Sequence, residues 1–358
     1  MIQFQEICPA VKLPGAPGRL YIGAYGFETR STGWLEFQGD QGTDSGPILE
    51  KAYMMKYKNP KGKNRIKESK EALKAIGIKT PIDIIFDVRE PYCIEDILSK
   101  KSKDFIRKTD EIILDISAMT KLLILVTLFQ LIDFKGTLRI VYSEAEEYAP
   151  TEADYKRWEQ DMRIVAKFPS SGFGTIVRQN CLGSIRMQGQ PVTLIAFTSF
   201  NEQLVRHMLG TINPHRLLFI NGRPPRPDFE WREKAAAEIH RKLIEEYPRE
   251  NIEVEPGILE RTASTLDYRE TAEKIAEIVK TYGTYERIMA AATGSKMQTV
   301  GLFFAKIIYP EIHIEYPTPD SYFVKGHSKG VRNIHEITIP KFSEYIENLK
   351  KCDHCRWD

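Results

Sequence analysis

Apolar residues come in two rhythms along this chain. Short continuous runs, such as Leu20-Tyr21-Ile22-Gly23-Ala24 and Val192-Thr193-Leu194-Ile195-Ala196-Phe197, enter polar loops, the pattern of a strand buried on both faces that feeds a functional turn. Longer stretches carry apolar residues at helical spacing. In the first half this predicts strands over Ala52 to Tyr57 and Ile82 to Asp87, and helices over Arg65 to Ile76 and Ile94 to Phe105. The second half predicts strands over Arg216 to Ile220 and Asn251 to Glu255, and helices over Phe229 to Glu246 and Asp267 to Tyr282. Strands separated by helices of this length pair in parallel through right-handed crossovers. The expected fold class is therefore α/β, with two tandem Rossmann-like units built on parallel sheets.

One feature occurs twice. Glu111-Ile112-Ile113-Leu114-Asp115-Ile116-Ser117-Ala118-Met119-Thr120-Lys121 is an apolar strand, then a small hydroxyl-bearing turn ending in lysine, and it leads into the apolar helix Leu122 to Ile132. Arg287-Ile288-Met289-Ala290-Ala291-Ala292-Thr293-Gly294-Ser295-Lys296-Met297 repeats the arrangement ahead of a helix over Gln298 to Ile308. Superposing the lysines gives an offset of 296 − 121 = 175, which carries Ala24 onto Ser199. Two separate loops staying in step is the signature of an internal duplication. Fifth strands over Leu138 to Tyr142 and Ile312 to Tyr316 lead into related tails, Tyr148-Ala149-Pro150-Thr151 and Tyr316-Pro317-Thr318-Pro319, and Val177-Arg178-Gln179-Asn180 has a shorter echo in Val331-Arg332-Asn333. The expected division is a first unit over 1–168, a glycine-rich connecting loop or hairpin over 169–190, a second unit over 191–340, and a tail over 341–358.

Composition narrows the partners. A chain of 358 residues, 42% hydrophobic, is long enough for two cores. Its 51 basic and 49 acidic residues leave a formal charge of +2, so no overall field exists to hold a long nucleic acid by counterion release. The basic run Lys56, Lys58, Lys61, Lys63, Arg65 and Lys67 reads as a solvated loop, with phosphate clamping as the alternative. No signal-peptide pattern and no membrane-length apolar run is present, and five scattered cysteines suit a reducing compartment. A cytoplasmic protein without a membrane partner is expected.

Ligands of open parallel sheets bind beyond the carboxyl ends of the strands, where strand order reverses. The first-strand loops would bring Gly26, Phe27 and Arg30 there in one half, and Thr198, Ser199 and Asn201 in the other. The fourth-strand loops would bring Ser117, Thr120 and Lys121, and Thr293, Gly294, Ser295 and Lys296. Helix-start N–H groups and a lysine in the first turn favour an anion, and Ser117 and Thr293 are placed to cap the helices or donate to phosphate. Tyr316, beside a proline-rich loop, is a candidate for stacking on a base. The simpler alternative for each loop is a helix cap with a solvent-facing lysine. Neither G-x-G-x-x-G nor G-x-x-x-x-G-K-[ST] follows these strands. Cys352-Asp353-His354-Cys355 has a C-x-x-C knuckle that could hold half of a zinc site, but four ligands are needed and the sequence shows no second pair. No metal and no cofactor is expected.

Thr293-Gly294-Ser295-Lys296-Met297 at the fourth strand, with Thr198-Ser199 after the first, resembles the nucleotide-binding pattern of CRISPR-associated Rossmann-fold sensors, whose usual form is Thr-Gly-Gly-Thr-Lys. In the first half, Ser117-Ala118-Met119-Thr120-Lys121 keeps only the hydroxyls and the lysine, so the two sites need not be equivalent. The resemblance implies a sensor that binds a nucleotide or short cyclic oligonucleotide second messenger in a cleft between the two halves, within prokaryotic antiviral or stress signalling. It also implies a protein effector acting in trans, since only 18 residues follow Pro340 (358 − 340). Two alternatives stay open. One is a nucleotide-processing enzyme, a metal-independent phosphodiesterase like a ring nuclease, in which Ser199 and Lys296 position a ribose hydroxyl and stabilise developing negative charge. The other is a non-catalytic scaffold subunit of a defence complex.

Overall fold

The computed structural model describes residues 3–40, 47–58, 64–87, 90–106, 109–158, 168–246, 253–254, 260–324 and 327–351. Lys61, Lys63, Cys352 and Cys355 lie outside the described residues. Two compact units account for the chain: Met1–Tyr148 with Val324–Leu349, and Ala149–Phe323 with Lys350–Asp358.

In chain order the first unit contains β1 (Ile7–Pro9), β2 (Arg19–Ala24), α1 (Gly33–Gly39), β3 (Lys51–Lys58), α2 (Ile66–Ala75), β4 (Ile82–Asp87), α3 (Ile94–Ile106), β5 (Glu111–Asp115), α4 (Lys121–Gln130), β6 (Thr137–Ser143) and β7 (Glu147–Tyr148). The second contains α5 (Glu152–Trp158), β8 (Ser170–Ser171), β9 (Ile176–Val177), β10 (Val192–Phe197), α6 (Gln203–Ile212), β11 (Arg216–Arg223), α7 (Trp231–Glu246), β12 (Glu253–Val254), β13 (Thr262–Ser264), α8 (Tyr268–Tyr282), β14 (Arg287–Ala291), α9 (Lys296–Ile308), β15 (His313–Pro317) and β16 (Ser321–Tyr322). The chain then returns to the first unit with β17 (Ser328–Lys329), β18 (Ile334–Ile339) and α10 (Phe342–Lys351).

Both sheets share one logic. The first runs β1-β18-β6-β5-β2-β3-β4 and the second β12-β11-β10-β14-β15-β9, with β13 also on β11. In each, the first strand (β2, β10) lies between the second (β3, β11) and the fourth (β5, β14), all parallel, so strand order reverses between first and fourth. Every residue of β2 is buried, and the central helices are as apolar as the strands. Leu122 to Leu128 of α4 and Met297 to Ile308 of α9 are buried throughout, as expected of a helix that is hydrophobic all round. Only their ends can meet a ligand. Among the described residues no helix is long and apolar enough to cross a membrane.

Two parts of the expected division come out differently. Residues 324–349 belong to the first unit, because Ile334–Ile339 pairs antiparallel with β6 over six positions and with β1, closing an open sheet edge. Residues 149–158 belong to the second unit. Tyr155 packs on Trp231 at 5.8 Å between ring centroids, and Arg232 donates to the carbonyls of Ala149 and Pro150 at 3.0 and 2.9 Å. The sheets are also not wholly parallel, since β1 with β18, and β9 beside β15, run antiparallel.

Candidate functional site

In the first unit the loop after β2 and the loop before α4 touch. A Cβ on Gly26 would stand 2.8 Å from the Cβ of Ala118, closer than real side chains approach, so glycine is what lets the loops meet. Asp115, at the end of β5, accepts from the Tyr21 hydroxyl at 2.8 Å and from the Ser117 N–H at 2.9 Å. Ser117 is fully buried and its Oγ accepts from the Ser143 N–H at 2.8 Å, fastening the turn to β6. The cap of α4 is Thr120 rather than Ser117: its Oγ1 accepts from the Leu123 N–H at 3.3 Å. Tyr57 braces this turn, accepting from the Thr120 N–H and donating to the Ala118 carbonyl. Lys121 follows as the first residue of α4, and burial pushes its pKa down to about 8.

Of the other first-unit candidates, Phe27 is half-buried and faces His327 at 5.6 Å. Arg30 is buried and forked onto Glu28, Nε to Oε1 at 3.0 Å and Nη2 to Oε2 at 3.1 Å, while Nη1 donates to the Tyr142 hydroxyl at 3.0 Å. Ser328 also donates to Glu28. Tyr142 and Ser328 escaped the sequence reading because they reach Arg30 and Glu28 from β6 and the returning strand β17.

The second unit uses the same positions with different chemistry. Thr293 is buried, and its Oγ1 accepts from the Phe197 N–H at 2.9 Å and donates to the Phe197 carbonyl at 2.7 Å. It thus clips the fourth-strand loop to the end of the first strand instead of capping a helix. Ser295 caps α9, accepting from the Gln298 N–H at 3.0 Å, while Gln298 Oε1 accepts from the Ser295 N–H at 2.8 Å, a capping box. The Ser295 hydroxyl donates to the Thr265 carbonyl at 2.7 Å. Ser295-x-x-Gln298 was a readable signal for this cap. Gln298 is 1% exposed, and its Nε2 is buried with no hydrogen-bond partner among the described residues.

Gly294 sits where a side chain has no room. A Cβ there would lie 2.4 Å from Gln298 Oε1 and 2.9 Å from the Phe197 Cβ. Gly294→Ala is accordingly expected to cost about 1–2 kcal/mol by breaking the capping box and pushing on Phe197. Thermal unfolding measures it, and an unchanged midpoint would show that the box is dispensable.

The first-strand loop of the second unit is held from several sides. Thr198 donates to Asn221 Oδ1 at 2.5 Å and accepts from the Gly222 N–H at 3.3 Å. Asn201 is buried, its Nδ2 donating to the Gly172 carbonyl at 3.0 Å. Among the described residues the Ser199 hydroxyl contacts only the backbone of Asn201, at 3.3 Å. Tyr316 is buried at the end of β15, opposite Val177 and hydrogen-bonded to Tyr322. Within each unit the structure therefore brings the first- and fourth-strand candidates together at the carboxyl edge of the sheet. Their hydroxyls are largely committed to backbone partners. What the loops offer a ligand is the positive end of a buried helix, a lysine in its first turn, and in the second unit the amide of Gln298.

No family model and no curated relative matches the sequence. Among solved structures the chain is similar to a Type III CRISPR defence DNA nuclease activated by cyclic oligoadenylate, with a TM-score of 0.43 and 10% identity over 87% of this chain and 68% of that one. It is similar more distantly to Can2 from Sulfobacillus thermosulfidooxidans in complex with cyclic tetra-adenylate, with a TM-score of 0.24 and 10% identity over 83% and 95% of the two chains. A functionally unknown protein from Pseudomonas aeruginosa gives a TM-score of 0.21 and 8% identity over 95% and 98%. Likenesses of this strength fix neither fold nor ligand.

Proposed function

We propose that the chain is a nucleotide sensor of the CRISPR-associated Rossmann-fold kind, an internal duplicate in which the first- and fourth-strand loops of each unit hold a phosphate of a nucleotide or short cyclic oligonucleotide. A protein effector then reads the bound state, in prokaryotic antiviral or stress signalling. The observation that carries the reading is the repeated placement of a lysine at the start of a buried helix at the strand-order reversal of both sheets. Gln298 supports it, because a ligand oxygen would satisfy its buried, unpartnered amide nitrogen. A further repeat supports the duplication: Glu286, just before β14, stands 175 positions after Glu111 (286 − 111), and both pair with arginine from the same sheet, Glu286 with Arg216 of β11 and Glu111 with Arg19 and Arg139.

The test is calorimetry and thermal shift of the full chain with cyclic tetra-adenylate, linear oligoadenylates and mononucleotides. A ligand at a hundredfold excess over its Kd should stabilise the protein by about 2.7 kcal/mol. Lys296→Ala and Lys121→Ala should each weaken binding about tenfold or more. Affinity at the first-unit site should also fall as pH rises through about 8, where Lys121 loses its charge, and Lys121→Ala should remove that dependence. Turnover of the bound compound would move the assignment to the enzyme. No shift with any compound from folded protein would move it to the scaffold.

A further inference from the structure

In the second unit α5 and α7 enclose an open groove of about 560 Å³, with Asn221 of β11 in its lining, and this is within the size range of small-molecule sites. Its aromatic wall is Tyr155 and Trp231, whose ring centroids are 5.8 Å apart. Arg232, which is not part of the lining, holds its guanidinium over the Trp231 ring at 5.2 Å and donates to the Ala149 and Pro150 carbonyls at 3.0 and 2.9 Å. Trp231 thus presents indole surface to the groove as well as to that guanidinium. Such surface attracts a flat cation, through the ring quadrupole and by stacking.

The charges of the lining are unevenly matched. Each of its three cations faces a carboxylate: Lys156 lies 2.7 Å from Glu152, Arg241 2.6 Å from Glu238, and Lys234 3.9 Å from Glu230. The remaining carboxylate of the lining, Glu233, has no hydrogen bond or ion pair among the described residues. Burial is the largest cause acting on it and raises its pKa, with Arg223 opposing, Glu230 adding to the rise and Lys234 opposing. A second lining group is idle too. Asn221, 3% exposed, gives its side-chain oxygen to Thr198, and among the described residues its amide nitrogen makes no hydrogen bond. Flat rings beside an uncompensated carboxylate disfavour an anion and favour a cation. With both Glu233 oxygens uncommitted, a planar fork of N–H donors meets them better than a single ammonium does, and the buried Asn221 donor calls for an acceptor on the same ligand.

We propose that this groove binds a small guanidinium compound that also carries a hydrogen-bond acceptor, with the cation forked onto Glu233 and flat against Trp231 and Tyr155, and the acceptor taken by Asn221. The site goes beyond the nucleotide reading and does not depend on it. Calorimetry of the full chain with L-arginine and L-citrulline tests it, since citrulline keeps the carboxylate and the shape but has a neutral urea in place of the guanidinium. Arginine should bind about tenfold tighter or more. Glu233→Gln keeps the size of the side chain and should bring the two affinities within about threefold of each other. Asn221→Asp keeps an acceptor for Thr198 but turns a carboxylate toward the ligand's own, so it should weaken both about tenfold. The Trp231 indole N–H resonance, identified by its loss in Trp231→Phe, gives a readout on the unaltered protein that stands even where a variant does not fold: it should move with arginine at concentrations where citrulline leaves it in place. No binding of arginine, equal affinities in the unaltered protein, a preference that survives Glu233→Gln, arginine binding untouched by Asn221→Asp, or bound arginine that leaves the Trp231 resonance unmoved would each overturn the guanidinium groove.

Discussion

Glu111→Ala is expected to destabilise the first unit by about 3–5 kcal/mol, the cost of breaking a largely buried ion pair from one side. Glu111 opens β5 and lies between two arginines, Arg19 at the start of β2 and Arg139 of β6, each donating through Nε to one carboxylate oxygen. Arg139 reaches on to Glu336 and Thr338 of β18, so charges alternate in sign across four neighbouring strands. Alanine would leave two guanidiniums on a part-buried sheet end, with Arg19 keeping, among the described residues, its bonds to the Pro14 and Ile48 carbonyls. Burial alone would raise the Glu111 pKa, but its hydrogen bonds to Arg139 and Arg19 and their charges hold it below its ordinary value of 4.5. A depressed carboxylate contributes stability that is fully present above the unfolded pKa and is lost as pH falls through the folded one. Urea unfolding at pH 7 and on acidification from pH 5 downward should show a steep loss in the unaltered protein and a shallower one in the variant. A variant within about 1 kcal/mol of the original at pH 7 would put the ladder among ordinary surface pairs.

How far such features can be read from sequence depends on the range of the contact. The strand over Ile82 to Asp87 and the helices over Arg65 to Ile76, Ile94 to Phe105 and Asp267 to Tyr282 were visible because apolar periodicity is local, and the structure agrees with them to within a residue or two. The repeated lysine loops were visible because the duplication samples one pattern twice. Helices α1 and α6 went unread: Gly33–Gly39 is two turns long and follows a tight turn over Thr29–Thr32, and Gln203–Ile212 starts without a side-chain cap. The return of Ile334–Ile339 to the first sheet was hidden for a different reason. Its partner β6 lies about two hundred residues earlier, and nothing in an alternating strand names its partner. At the site, residue types were legible but their duties were not. Ser117 and Thr293 fasten neighbouring strands, and the caps fall to Thr120 and Ser295.

Arg30 shows the same divide between residue type and duty, and its replacement should have the other large effect. Arg30→Leu is expected to cost about 3–5 kcal/mol, because Glu28 would stay buried without the guanidinium that meets both of its oxygens. Burial by itself would lower the arginine pKa, but Glu28 overrides it and holds the group above its ordinary value. Leucine also gives up the hydrogen bond to Tyr142 and the cation's place over the Tyr142 and Tyr148 rings, 5.6 and 5.5 Å from its Cζ. Arg30→Lys should recover only part of the loss, since an ammonium cannot meet both carboxylate oxygens and the Tyr142 hydroxyl in this geometry. Changing both partners, Arg30→Leu with Glu28→Met, removes the stranded charge and should regain most of the stability in chemical unfolding. That double variant also separates two duties for Arg30. If it folds and still binds the nucleotide that stabilises the unaltered protein, Arg30 builds the first-strand loop from within. If it folds and binding falls more than tenfold, while Lys296→Ala leaves the first-unit affinity intact, the guanidinium touches the ligand as well, and the buried pair with Glu28 is what holds it in place before the ligand arrives.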